Sequence, residues 1–394
     1  MGRVVDRGGR AIVLMGLAAV VAGAATLCYL RPHAGPAPPA RQATLAAGPP
    51  WSLSSASFGD AQHGAVNVYA GGRFSTFLTA DGGRTWRPAP TPAAITTFLD
   101  RDHAVAVDLG PGSRFGISDD AGRTWQTVPQ PVAFGGQARI LPSDVAGPSF
   151  LDPADGWWFG PRPGTGQRTL WRTADGGRTW TDLAPSGVPA ADGRALQPVF
   201  LDPLRGALVV AGGGSDVWPA LLLTRDGGRT WAPAAPARPA VSVPAGQGLL
   251  VSPTLLAHGD RLVLALDTRV DRSSGPSRQS RRLLSASADG GATWGAWAET
   301  PPISSAAPMR FDDAGTLLLA DGTRLWSSAD AGRTWRSRTV AGPDGQQLAL
   351  LSAQGGMLLV ARLAAPGDDT APKLLRSRDG GGHWTEIALP AVPR

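Results

Sequence analysis

The chain has 394 residues, 42% of them hydrophobic, with 52 Gly and 36 Pro. This composition excludes a disordered chain and is typical of a fold with many tight turns. The formal net charge is +6, yet no stacked aromatic ladder or nucleic-acid motif accompanies the arginines, so we expect no nucleic-acid partner. Cys28 is the single cysteine, which excludes an internal disulfide.

The first 50 residues have the pattern of a membrane anchor followed by a linker. Residues 1–10 carry three arginines, and residues 11–30 contain no charge, which is long enough for a helix to cross a bilayer. The basic flank predicts a cytoplasmic N-terminus, a single pass through the cytoplasmic membrane and export of the rest. A cleaved signal peptide and a secreted protein are the alternative, since Ala22-Gly23-Ala24 could serve as a cleavage site. Residues 31–50, rich in Pro and Ala, are predicted to be a semi-rigid linker.

An eight-residue phrase then recurs through residues 51–394. Its pattern is a hydroxyl residue, any residue, Asp, a small residue, Gly, any residue, usually Thr, and Trp. The copies begin at Thr79, Ser118, Thr173, Thr224, Ser287, Ser328 and Ser377. With about 49 residues per copy, each repeat is long enough for four short strands and their turns.

The phrase predicts a turn between two strands. Its Asp can accept hydrogen bonds from nearby backbone N–H groups, its glycines allow left-handed backbone angles, and its Trp can fill the gap between neighbouring sheets. We assign these residues structural roles. They are Asp81, Trp86, Asp120, Trp125, Asp175, Trp180, Asp226, Trp231, Asp289, Trp294, Asp330, Trp335, Asp379 and Trp384.

A second, weaker element precedes most copies and predicts another hairpin. It reads Phe-x-Asp followed by Gly or His, and its acids are Asp60, Asp100, Asp152, Asp202 and Asp313. Continuous apolar runs follow it at residues 157–159 and 207–210, as expected of strands covered on both faces. The fold class predicted is therefore all-β, a seven-bladed β-propeller with four-stranded blades, preceded by an N-terminal transmembrane or signal helix.

The phrase resembles the Asp-box, or bacterial neuraminidase repeat, which β-propellers carry between the third and fourth strands of a blade. Sialidases, xyloglucan-cleaving hydrolases, the sortilin group and photosystem II stability/assembly factors share it. The layout here is most similar to the last family, which implies one exported, non-catalytic propeller. The resemblance covers about residues 51–394, with Ala292 replacing Arg in the fifth copy and Gly382-His383 replacing Arg-Thr in the last. The box implies no catalytic residue.

Two groups of arginines are candidates for contact with a partner. Five copies of the phrase have Arg two residues before Trp, which we expect to stack on Trp or pair with a local Asp, or else to form a basic ring for lipid head groups or an acidic partner. A predicted loop between strands in the fifth repeat is the candidate partner-binding site. Its arginines are Arg269, Arg272, Arg278, Arg281 and Arg282.

The sequence contains few residues in the patterns that catalysis or metal binding requires. After the anchor it has one Tyr, Tyr69, and two Glu, Glu299 and Glu386, which does not match the sialidase set of nucleophile and acids. Loop candidates for a glycosidase carboxylate pair are Asp216, Asp267 and Asp271. The five His show no ligand spacing, so we expect no metal, and no cofactor motif is present.

We therefore predict a membrane-tethered scaffold outside the cytoplasm that binds a protein or an anionic polymer, acts as a monomer and has no catalytic residues. The competing hypothesis is a carbohydrate-active hydrolase, sialidase-like or another glycosidase, or a glycan-binding propeller.

Overall fold

In the computed structural model, the described part of the chain consists of strands, turns and irregular connections. The described residues are 51–70, 73–90, 95–107, 114–132, 147–162, 165, 167–189, 198–210, 218–234, 236–241, 248–271, 280–303, 307–340, 347–363 and 373–388. The predicted anchor at 11–30 and linker at 31–50 lie outside this range. Within it, no helix is long and apolar enough to span a bilayer.

In the described part of the chain, twenty-eight strands form seven antiparallel sheets, and each sheet consists of four strands consecutive in the chain. Blade 1 contains β1 (Trp51–Phe58), β2 (Gly64–Ala70), β3 (Arg73–Thr79) and β4 (Arg87–Pro88). Blade 2 contains β5 (Ile95–Phe98), β6 (Ala104–Val107), β7 (Arg114–Ser118) and β8 (Gln126–Pro129). Blade 3 contains β9 (Ser149–Phe150), β10 (Gly156–Pro161), β11 (Arg168–Thr173) and β12 (Thr181–Asp182). Blade 4 contains β13 (Val199–Phe200), β14 (Gly206–Val210), β15 (Ala220–Thr224) and β16 (Ala232–Pro233).

The remaining three blades repeat the order. Blade 5 contains β17 (Gly248–His258), β18 (Arg261–Asp271), β19 (Ser280–Ser287) and β20 (Ala298–Glu299). Blade 6 contains β21 (Met309–Phe311), β22 (Leu317–Asp321), β23 (Arg324–Ser328) and β24 (Arg336–Thr339). Blade 7 contains β25 (Gln347–Gln354), β26 (Met357–Leu363), β27 (Lys373–Ser377) and β28 (Thr385–Ile387). The protein is a seven-bladed β-propeller, which confirms the predicted fold class for this part of the chain.

Burial follows the position of a strand within its blade. The second strands β6 and β14 are buried along their whole length, because neighbouring blades cover both of their faces. The outer strand β24 is exposed along its whole length. First strands of neighbouring blades contact one another, for example β13 with β17 and β21 with β25, so they form the inner wall of the ring.

Blade 7 closes the ring by packing against blade 1. Phe58, Val66 and Val68 of blade 1 share one buried apolar cluster with Leu351 and Leu359 of blade 7. The indole Nε1 of Trp86, which follows the turn before β4, donates to the carbonyl of Ala388 at 2.7 Å. Closure therefore rests on side-chain packing and individual hydrogen bonds, while each of the two sheets is complete within itself.

A buried polar network joins blade 1 to blade 2. Asn67 is 1% exposed, and its Nδ2 donates to Ser55 Oγ at 2.9 Å and to the Thr96 carbonyl at 3.0 Å. Its Oδ1 accepts from Thr76 Oγ1 at 2.7 Å and from the Thr96 N–H at 3.0 Å. All four hydrogen-bonding positions of this amide are thus used, which makes the network favourable in a buried setting.

Replacing Asn67 with Ala should lower the free energy of unfolding by roughly 2 to 3 kcal/mol, because the buried Thr96 N–H and Thr76 hydroxyl would lose their partner. Urea unfolding of the full chain measures the change. Ser75→Ala is the matched control, since Ser75 is the exposed neighbour of Thr76 on β3, and its effect should stay within about 0.5 kcal/mol. Equal losses in the two variants would contradict the proposed role of the network.

Candidate functional site

The seven repeat turns are held by one hydroxyl and one carboxylate. In blade 3, Thr173 Oγ1 donates to Asp175 Oδ1 at 2.8 Å and accepts the Gly177 N–H at 2.8 Å. Asp175 in turn accepts the N–H and the hydroxyl of Thr179, at 2.9 and 2.6 Å. The other six turns use the same positions, with the ring Nδ1 of His383 on Asp379 in place of a threonine hydroxyl in blade 7.

The backbone of each turn is left-handed at the fourth position of the phrase. Five blades have Gly there, such as Gly176 with φ of 73°. Blades 2 and 6 have Ala121 and Ala331 instead, with φ of 60° and 57°. A β-carbon makes this angle costly, so the hydrogen bonds to the carboxylate stabilise a backbone angle that alanine alone disfavours.

These hydrogen bonds keep the turn carboxylates ionised. The hydroxyl of Thr124 and then its N–H lower the pKa of Asp120 to about 2, and Thr293 does the same for the pKa of Asp289. For Asp81, Asp226 and Asp330, burial would raise the pKa, but hydrogen bonds from the seventh-position threonine and the turn backbone outweigh it, and the result is about 2. Carboxylates with this environment serve as acceptors and do not donate protons near neutral pH.

The tryptophan of each phrase packs between neighbouring blades. In five blades its Nε1 donates to the carbonyl of the glycine three residues earlier. These residues are Trp125, Trp231, Trp294, Trp335 and Trp384. Trp180 instead contacts Phe115 of blade 2 edge-on, with ring centroids 5.8 Å apart. The indoles therefore fill the seams between blades, and the seven acids stay in seven separate turns.

A second set of acids closes the turns between the first and second strands. Asp60 Oδ1 accepts the N–H groups of Gln62 and His63 at 2.7 and 2.6 Å, and Asp100 does the same for residues 102 and 103. Asp152, Asp202 and Asp312 hold equivalent turns. In blade 6 the acceptor is Asp312, not the predicted Asp313, whose Oδ2 accepts the Gly356 N–H of blade 7 at 2.7 Å.

The structure places three of the five arginines of the predicted blade 5 loop on strands. Arg281 and Arg282 lie in β19, and Arg269 lies in β18. Arg272 and Arg278 fall outside the described residues. Arg269 and Arg281 are exposed, and Arg281 lies 3.7 Å from Glu299.

Arg282 is not available to a partner. Its side chain is 6% exposed, and it binds Asp267 through two contacts of 2.7 and 2.8 Å while donating to the Ala307 carbonyl. Asp267 and Arg282 lie opposite each other in the register of β18 and β19, and the pairing continues beyond them to Arg269 and Ser280. Arg282 is therefore removed from the set of exposed partner-binding residues.

The same ion pair bears on the carboxylates proposed for hydrolysis. Burial raises the pKa of Asp267, and the guanidinium of Arg282 opposes that rise. Asp271 ends β18, and Asp216 lies outside the described residues. Glu299 and Glu386 lie on outer strands of different blades, β20 and β28. Among the described residues, no three His, Cys, Asp or Glu side chains group as a metal site.

The arginines of the repeat turns differ in their contacts. Arg178 pairs with Asp119 of the neighbouring blade and donates to the Asp175 carbonyl. Arg229 donates to the Asp226 carbonyl at 3.1 Å. In the described part of the chain, the arginines that lie over indole rings are not these turn arginines. Arg324, for example, has its Cζ 5.8 Å from the ring centroid of Trp326. Of the contacts expected for the turn arginines, pairing with an acid is therefore found for Arg178.

The outer edge of blade 6 is strongly basic, which the sequence analysis missed. All four residues of β24 are exposed, and two of them are Arg336 and Arg338. Arg333 precedes the strand in the turn, and Arg324 lies on the adjacent β23. We call these four arginines the blade 6 edge. Among the described residues, no carboxylate lies within ion-pair distance of any of them. The signal in the sequence is the Arg-Ser-Arg that follows the sixth phrase.

Comparisons with known proteins give structural relatives only. No protein family and no curated protein matches the chain. Among solved structures it resembles YCF48 bound to D1 peptide, with 17% identity, a TM-score of 0.44 and coverage of 80% of this chain and 94% of that one. It also resembles a polysaccharide lyase, ulvan lyase, with 15% identity, a TM-score of 0.46 and coverage of 73% and 80%. A Trypanosoma rangeli sialidase has 17% identity and a TM-score of 0.34, over 48% of this chain and 36% of that one.

The turn carboxylates predict a loss of stability in acid. Their pKa is lower in the folded state than the reference value of 3.8, so their stabilisation is complete above that value and is lost as the pH falls from about 3.8 toward 2. Urea midpoints of the full chain measured between pH 6 and pH 2.5 should fall steeply below pH 4, and Asp226→Asn should reduce the slope.

Thr230→Val provides the companion variant, because it removes the hydroxyl that donates to Asp226 Oδ2 at 2.6 Å. It should reduce the acid slope in the same direction while retaining the carboxylate. A slope unchanged in both variants would contradict the assignment of Asp226.

Proposed function

We propose that this protein is a membrane-tethered scaffold that works outside the cytoplasm by binding an acidic segment of another protein along the blade 6 edge. The observation that carries the proposal is the exposure of β24 together with the arginines on and beside it. The partner segment would add to the blade as an extended strand.

The backbone of β24 supports strand addition. The strand pairs with β23 on one side only, so its other edge presents backbone N–H and C=O groups. It is four residues long, whereas β4, β12, β16 and β20 have two residues each. Within the described residues, the one other outer strand of four residues is β8, which contains the buried Val128 and ends at Pro129, which has no N–H to donate.

The charges of the blade 6 edge select the type of partner. Arg336 and Arg338 are two residues apart on one strand, so their side chains lie on the same face of the sheet. Arg324 is held in place by the ring of Trp326 and by a contact of 3.3 Å with Ser337 Oγ. Like charges repel an identical edge from a second copy and attract an acidic strand, which supports a monomer that binds a different, acidic chain.

The tether rests on the sequence. Residues 11–30 are uncharged, and the arginines before them favour retention of the N-terminus in the cytoplasm. The linker at 31–50 would then place the propeller beyond the membrane surface, where a membrane protein with an acidic extracytoplasmic segment can reach it.

The competing hydrolase requires two carboxylates that converge with room for a sugar between them. Of the three candidates, Asp267 is held by Arg282 in a two-contact ion pair. Its carboxylate oxygens already have partners, whereas the guanidinium groups of Arg333, Arg336 and Arg338 on the blade 6 edge have no carboxylate partner within the described part of the chain. Binding therefore has the stronger support.

A labelled peptide of alternating Glu and Val should bind the full chain in detergent, as measured by fluorescence anisotropy, and the Lys and Val analogue should not. Arg336→Glu/Arg338→Glu should weaken binding at least about tenfold, and added salt should weaken wild-type binding, because the contact is electrostatic. Arg114→Glu/Arg225→Glu is the matched control, since it makes the same charge change at exposed positions in blades 2 and 4.

Equal losses in the two double variants would show a general charge effect and contradict the blade 6 edge as the site. Turnover of chromogenic glycosides by the wild type that is lost in Asp216→Asn or Asp267→Asn would replace the scaffold with the hydrolase.

Expression in a bacterium tests the tether. The full chain should remain with membranes after a high-salt wash and be released by detergent, and deletion of residues 1–30 should keep the chain from joining the membrane fraction, because the uncharged segment supplies the attachment. Intact mass of the product decides between the two alternatives, since cleavage after Ala24 would remove the anchor and give a secreted protein.

A further inference from the structure

Three arginines lie on the turn side of the propeller, where blade 7 adjoins blade 1. Arg376 lies in the buried part of β27, Arg378 follows in the turn of blade 7, and Arg84 lies in the turn of blade 1. A β-carbon placed on Gly82 would lie 2.8 Å from Nη1 of Arg376 and 3.1 Å from Nη2 of Arg378. Two guanidinium groups therefore converge on one point of the blade 1 turn.

None of the described carboxylates forms an ion pair with these three arginines. Arg376 donates to the Gly82 carbonyl and Arg378 to the Ala61 carbonyl, and neither these two nor Arg84 has a carboxylate oxygen within ion-pair distance in the described structure. Asp81, the acid whose charge acts on Arg376, already accepts hydrogen bonds from Thr79 and Thr85. Burial, followed by the charges of Arg378 and Arg84, lowers the pKa of Arg376.

At the seam between blades 2 and 3, an acid occupies the position equivalent to that of Arg378. Asp119 holds the second position of the blade 2 phrase, and it pairs with Arg178 at the sixth position of the blade 3 phrase. At the seam between blades 7 and 1, these two positions are Arg378 and Arg84. An ion pair at one seam is thus replaced by two like charges at the other.

The third arginine has a counterpart as well. Arg172 stands just before the blade 3 phrase as Arg376 stands before the blade 7 phrase, and it lies against Gly227 of the next blade as Arg376 lies against Gly82. Arg172 has Asp155 as a partner at 3.2 Å. Strand register places the buried, apolar Met357 at the position of Asp155 in blade 7. Both acids that neutralise this arrangement elsewhere are therefore missing here.

We infer that Arg84, Arg376 and Arg378 form a binding site for an oxyanion of the phosphate or sulfate type at the seam between blades 7 and 1. Arg376 is 9% exposed and fixed by the Gly82 carbonyl, while Arg84 and Arg378 are exposed and can close on the ligand. Guanidinium groups bind such tetrahedral anions through paired, charge-assisted hydrogen bonds. The site lies apart from the blade 6 edge and does not depend on the function proposed for it.

Thermal unfolding of the full chain in detergent, with inorganic phosphate titrated at constant ionic strength, tests the site. The wild type should show a saturable rise in Tm, because a ligand that binds the folded state stabilises it. Arg378→Asp should weaken phosphate binding at least about tenfold, since one charged hydrogen-bond donor is lost and the new acid pairs with Arg84. It should also raise the Tm measured without phosphate, as the Asp119 and Arg178 pair predicts.

Arg225→Asp is the matched control. Arg225 occupies the same position of the phrase in blade 4 and is exposed, and the sixth position of the following blade 5 phrase is Ala292 instead of an arginine. It should retain the phosphate response of the wild type, which separates a bound ion from the general stabilising effect of phosphate salts. Identical responses in the wild type and both variants, or a wild-type response that does not saturate, would overturn the proposal.

A parallel titration with mixed micelles containing phosphatidylglycerol identifies the source of the anion. A response to the lipid that Arg378→Asp loses would assign the site to a membrane head group, and a response to inorganic phosphate alone would assign it to a soluble phosphate. No response to either would overturn the site.

Discussion

The hydrogen bonding of each aspartate within its own turn is the interaction on which the rest of this propeller depends. Each carboxylate accepts hydrogen bonds from a hydroxyl and from backbone N–H groups of the same eight residues. The turn therefore forms without contacts to other parts of the chain. The turn fixes where the outer strand begins, and it aims the following tryptophan into the seam beside the neighbouring blade. Local hydrogen bonding is thereby converted into packing between blades.

Because packing between blades is provided by the turns and the inner strands, the outer strands of the blades are free to vary in sequence. The first three strands and the turns are occupied with packing and with satisfying backbone groups. The outer strands are short and most of their residues are exposed or half-buried, and their side chains differ from blade to blade, from Arg87-Pro88 in blade 1 to Arg-Ser-Arg-Thr in blade 6. A change there alters the surface without disturbing the ring, which is why charge on the blade 6 edge is informative about binding.

The turns and strands could be predicted from the sequence because their chemistry is local. Asp175 lies within four residues of each of its partners along the chain, and the pattern recurs seven times. The environment of Arg282 could not be predicted in this way. It depends on Asp267, 15 residues away, and on the carbonyl of Ala307, 25 residues away in the approach to the next blade. The meeting of Arg376 with Gly82 joins residues 294 apart and requires knowing that the last blade adjoins the first.

Every blade is made from one uninterrupted stretch of chain, and this has a consequence for how the protein acquires its structure. Each segment can form its own four-stranded sheet at once, since all of its strand partners arrive together. Strand pairing then stays within one repeat, which favours orderly folding from the N-terminal end. The contacts between the first and last blades form at the end, when Trp86 meets the carbonyl of Ala388 and the row of blades becomes a closed ring.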